Sequence, residues 1–224
     1  RNWIAERKDT LPKGAELTLW TDNADDFRSR MTTIGTSAAM GLFLVMIFLV
    51  MTLRPIVAFW VAVGIATAYA GAFVFMPAVE VSLNMLSTFA FLLVLGIVVD
   101  DAIVVGEGIH SEAHRIGGGV EASIAGAQLV AKPVVFGVLT TIMAFLPWLF
   151  LSGSTSEFTR HITWVVILAL IFSLIESLWI LPAHLSSMKP RHDKNMGRFG
   201  HFQKKISDGI IHFAHRHYRG IAQF

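Results

Sequence analysis

The chain's 224 residues are 54% hydrophobic and only 15% charged, where an ordinary soluble domain carries about 25% charged residues. Lipid, not water, is the solvent this composition fits. With no cysteine there is no disulfide framework and no thiol chemistry, and a formal net charge of +2 gives no reason to expect a nucleic-acid partner.

Residue 1 is Arg, and no signal-peptide pattern precedes the first apolar run, so the chain reads as cut from a longer polypeptide. The opening suggests a short helix over 2–9, a Pro12-Lys13-Gly14 turn and a strand over 15–21. That is a short α/β remnant, the end of a water-side domain over 1–27. Spans follow, because about 20 mostly apolar helical residues cross roughly 30 Å of hydrocarbon. The runs are 34–53, 56–79, 83–105, 134–151 and 162–185, the fourth with its helix starting near Val120. The fold class is thus all-α, a bundle of five transmembrane helices within 28–188. Gly117-Gly118-Gly119 lacks a following Lys-Ser/Thr and follows no strand, so it is a flexible turn and not a phosphate cradle.

The residues from 189 to 224 are basic. Phe199, Phe202, Ile206, Ile210 and Phe213 share one helical face, with Lys204, Lys205, Asp208 and His212 between them. This reads as an amphipathic helix on the membrane surface, in contact with lipid headgroups; a helix of a small soluble domain is the alternative. The Lys and Arg residues of this tail, with Arg54 and Arg115 on the same side, place it in the cytoplasm. Arg28 and Arg30 fall on the outer side, against the rule, but long domains translocate regardless of charge. His201, His212, His215 and His217 are better explained by a solvated basic face than by a metal site, so no metal or other cofactor is expected.

Asp100 and Asp101 lie near the middle of the third span. A single Asp at a helix centre costs about 2.5–3.5 kcal/mol to insert, and two adjacent like charges are harder to hold. No Lys or Arg within the other spans is an obvious partner; Lys132 is too close to the membrane edge. The pair is either a proton carrier or a static ion pair with a helix outside the chain. Gly96, one turn before Asp100 on the same face, allows close helix packing. Glu107 and Glu176 are candidates for extending a proton path; an interfacial helix end for Glu107, and snorkelling or a hydrogen bond to a neighbour near Pro182 for Glu176, are their plainer readings.

The stretch from Gly96 to Val105, Gly-Ile-Val-Val-Asp-Asp-Ala-Ile-Val-Val, resembles the fourth transmembrane helix of resistance-nodulation-division transporters. Ser82-Leu83-Asn84-Met85-Leu86-Ser87, Lys132-Pro133-Val134, Thr140-Thr141, Phe145-Leu146-Pro147, Gly153-Ser154-Thr155 and Leu181-Pro182-Ala183 carry the likeness along the chain. The double aspartate looks like the hydrophobe/amphiphile efflux branch.

The resemblance implies about one quarter of a proton-driven exporter in a bacterial inner membrane, holding helices two to six. It also implies a homotrimer that exchanges protons for small amphiphilic substrates, with a periplasmic adaptor and an outer-membrane channel as partners. In it Asp100 and Asp101 are the proton carriers, facing a Lys on a helix absent here. Where the family commonly continues Val-Val-Glu-Asn, this chain has Val105-Gly106-Glu107-Gly108, and the two glycines are expected to loosen the helix end. An intramembrane aspartyl protease is disfavoured, since neighbouring helical residues point about 100° apart. A lipid or sterol-type relative of the same fold and a non-transporting assembly subunit are the remaining alternatives.

Overall fold

The computed structural model describes residues 23–52, 55–153 and 156–187. Five helices in it are long and apolar enough to cross a membrane. They are α1 (Asn23–Thr52), α2 (Pro55–Phe75), α3 (Met85–Ile116), α4 (Val120–Phe145) and α5 (Ser156–Ile175), the last continued through a π turn, Glu176–Ile180, into the short α6 (Leu181–Leu185). The described residues are helices and their connections, as an all-α bundle requires. The strand expected over 15–21 and the surface helix of the tail lie outside the described residues.

Two spans end in proline-led 3-10 turns, Met76–Val79 after α2 and Leu146–Phe150 after α4. Pro77 and Pro147 sit at the start of these turns, where the missing N–H is tolerated. Between α3 and α4, Gly117 and Gly119 take φ of 91° and 110°. A side chain is strained at such angles, which is why this tight connection uses glycine.

Helix α3 packs against each of the other four spans. Its buried face carries Ala90, Phe91, Val94, Val98, Val99, Ala102, Val105 and Ile109. Its 32 residues rise about 48 Å, well beyond the hydrocarbon thickness of roughly 30 Å. The excess lies past Val105, where the sequence reading ended the span. Glu107, His110, Glu112 and Arg115 look like loop chemistry, yet the helix carries them out to Ile116, with Arg115 bonded to Glu112 at 2.7 Å.

The glycines after the aspartate motif do not loosen α3. A Cβ on Gly106 would press on Val57 of α2, and one on Gly108 would meet the Gly126 carbonyl of α4 at 2.9 Å. A Cβ on Gly126 would in turn strike the backbone of Ile109. Small residues here let backbones approach closely, as is usual between membrane helices. The expectation of a frayed end is therefore corrected: Gly106 and Gly108 form a tight crossing.

Candidate proton-binding site

The site is built on α3, whose start is fixed by a capping box. The Asn84 Oδ1 accepts from the backbone N–H groups of Leu86 and Ser87, both at 2.9 Å, and the Ser87 hydroxyl accepts from the Asn84 N–H at 2.7 Å. Such reciprocal caps satisfy donors that the helix itself leaves unpaired. One turn on, the Tyr69 hydroxyl of α2 donates to the Phe91 carbonyl at 2.8 Å, pinning the two helices together. The aspartates thus sit halfway along an anchored rod.

Their surroundings differ. Asp100 is exposed, on a stripe with Phe89, Leu93, Gly96, Val104 and Glu107. The steps of 4, 3, 4, 4 and 3 residues trace one helical face. No other atom lies within 4 Å of the position a Cβ would take on Gly96, so the notch it opens is filled by no other described residue. Asp101, one step around the helix, is half-buried between Val98 and Ala102 levels, and its Oδ2 is buried without a hydrogen-bond partner. No ion pair joins either aspartate to a described Lys or Arg. Lys132 of α4 is exposed.

The structure therefore brings Asp100, Gly96 and Glu107 onto one open face. It does not bring Glu176 there. Glu176 is only 3% exposed, at the first residue of the π turn, and its carboxyl fills the space above Gly64 of α2. Its Oε1 has no hydrogen-bond partner. Snorkelling is ruled out, because the side chain points into the bundle rather than along it to water. Sequence reasoning missed both the Gly64 notch and the π turn. The available signals were a glycine mid-span in α2 and the Pro182 six residues after Glu176, which removes an N–H from the helix ladder. In the π turn the Leu181 N–H bonds to the Glu176 carbonyl instead.

The family model described as AcrB/AcrD/AcrF family matches residues 1–224. The chain belongs to the AcrB/AcrD/AcrF family. Among curated relatives, Multidrug resistance protein MdtC of Escherichia coli O139:H28 (strain E24377A / ETEC) is 28% identical over 211 residues, covering 92% of this chain and 21% of the relative. MdtC of Escherichia coli O9:H4 (strain HS) matches to the same extent. Among solved structures, the crystal structure of a heavy metal efflux pump superimposes with a TM-score of 0.66 and 28% identity, covering 80% of this chain and 18% of that one. The chain thus spans about a fifth of the length of the family members it matches.

Proposed function

We propose that this chain supplies the proton-carrying aspartates of a proton-coupled efflux pump for small amphiphiles, seated in a bacterial inner membrane. The observation that carries the reading is the split environment of the pair. Asp100 faces outward beside an unfilled glycine notch, while Asp101 has an orphaned oxygen turned into the bundle. Intramembrane acids mark ion pathways, and two carboxylates on successive residues repel each other when both are charged. The open stripe suits a cation-bearing helix from the rest of the polypeptide. Protonation removes the pair's attraction for that cation, and α3 then shifts against its partner. Because α3 touches the other four spans, its shift is passed to the whole bundle.

The complete protein, on this reading, is a homotrimer working with a periplasmic adaptor and an outer-membrane channel, and the end of the bundle bearing Ile116 and Leu185 faces the cytoplasm. The likeness to a multidrug resistance protein and to a heavy metal efflux pump supports export as the activity. The double aspartate supports an amphiphilic cargo over metal ions.

The test uses the full-length protein in proteoliposomes, with lumenal pH followed as substrate is added. Asp100→Asn and Asp101→Asn are each expected to abolish substrate-linked proton movement. Unchanged coupling in either variant removes that residue from the relay.

A further inference from the structure

Glu176 is a buried acid that the aspartate relay does not use. Gly106 of α3 faces Val57 and Val61 of α2, and the two helices run antiparallel. Asp101 lies five residues before Gly106 on α3, about 7.5 Å along it, and Gly64 lies three residues after Val61 and seven after Val57 on α2, in the same direction across the membrane. Glu176 therefore has its carboxyl at about the same level of the membrane as the aspartate pair, but between α2 and the α5 segment.

The carboxyl fills the space over Gly64: a methyl group there would overlap it, with Oε2 only 2.6 Å from its position. No ion pair joins it to a described Lys or Arg. On α4, whose Ala127, Gln128 and Ala131 share a groove with Leu178 and Trp179 of the π turn, Glu121 lies in the first turn and Lys132 is exposed. On α2 the only titratable or charged side chain is Tyr69, whose hydroxyl is given to Phe91. On α3 the acids Asp100, Asp101 and Glu107 add only like charge; His110, Glu112 and His114 lie toward the Ile116 end, where Arg115 is paired with Glu112. On α5, Glu157 and His161 are at the far end, and Arg160 bonds to Glu80 at 3.1 Å. On α6, His184 is stacked on Trp60 with ring centroids 3.9 Å apart. An ionised carboxylate cannot be held in such a place without a large desolvation penalty, whereas a neutral acid fits.

We propose that Glu176 is a second proton-binding site, separate from the aspartate pair, which holds its proton while α2 and the π turn are closed on each other and releases it when they part. The π turn supplies the weak point, since one wide turn replaces the regular ladder there. Proton occupancy at Glu176 is thereby tied to the α2–α5 contact, as occupancy of the pair is tied to α3. The inference builds on the proton-coupled reading, but its measurement is independent of it.

The experiment is infrared spectroscopy of the full-length protein in lipid nanodiscs across a pH titration, following the carbonyl stretch of protonated carboxylic acids. One band is expected to persist in the Asp100→Asn/Asp101→Asn double variant, to diminish as pH rises, and to vanish in Glu176→Gln. In proteoliposomes Glu176→Gln is expected to flatten the pH profile of export without unfolding the protein. A Glu176→Gln spectrum identical to wild type overturns the proposal. So does a band that never changes with pH while the protein stays folded, which marks a purely structural acid. If the double variant still couples protons, the aspartate relay falls, and the Glu176 band is judged on its own.

Discussion

Asp100 and Glu176 lie at nearly the same depth, yet one looks out of the bundle and the other is closed within it. Asp100 stands on a stripe whose glycine, Gly96, has nothing against it. Glu176 stands opposite a glycine, Gly64, whose space it fills. The same small residue thus serves two ends. On the open face it leaves a space that no other described residue fills; on the closed face it makes room for an acid from within.

Glycine substitutions probe the difference directly, with expected effects that fall in order of what the new methyl would strike. Gly126→Ala drives a Cβ into the Ile109 backbone, which has no side-chain rotation to yield. It is expected to destabilise the full-length protein by about 3 kcal/mol or more, the upper end for overpacking, read as early thermal unfolding in detergent. Gly64→Ala strikes the end of a side chain, which gives more easily, so about 1–2 kcal/mol is expected. Adding Glu176→Ala should recover most of that loss, because the two sites are in contact and so couple; additive losses would separate Gly64 from Glu176. On the open face, Gly96→Ala should leave unfolding unchanged within about 0.5 kcal/mol while lowering export, since only a helix beyond this chain would meet the methyl. Full export in that variant would mean that nothing packs on the stripe.

Much of the architecture was legible because lipid imposes a simple rule on sequence. Five apolar runs became five helices, and the aspartates fell at mid-helix as read. The pair itself was equally visible, since two acids amid Val and Ile stand out, but the sequence left proton carriage and a static ion pair both open. What escaped was of two kinds. Helix α3 outlasts its apolar run, because a helix needs no hydrocarbon once Glu112 and Arg115 can meet water; hydropathy sees the membrane, not the helix. The other misses are meetings of distant residues. Gly64 and Glu176 are 112 positions apart, and no local pattern in either span announces the other. Gly106 and Gly108 were misjudged for the same reason: helix propensity counts against glycine, and only the presence of Val57 and Gly126 opposite turns that cost into close packing.

The π turn also corrects a phase error written into the end of α5. Ser173, Ser177, Leu181 and Leu185 are all at most 1% exposed, a buried series that recurs every four residues. On a straight helix of 3.6 residues per turn such a series precesses by about 40° at each step, roughly 120° in all, and its last members would leave the interior. One wide turn absorbs about one residue, or roughly 100° of that drift. Leu181 and Leu185 stay inside, and Trp179, 69% exposed, is left facing outward. The acid at the head of that turn is thus placed by the same insertion that keeps the final two leucines in line, so shortening this segment by one residue would swing both at once.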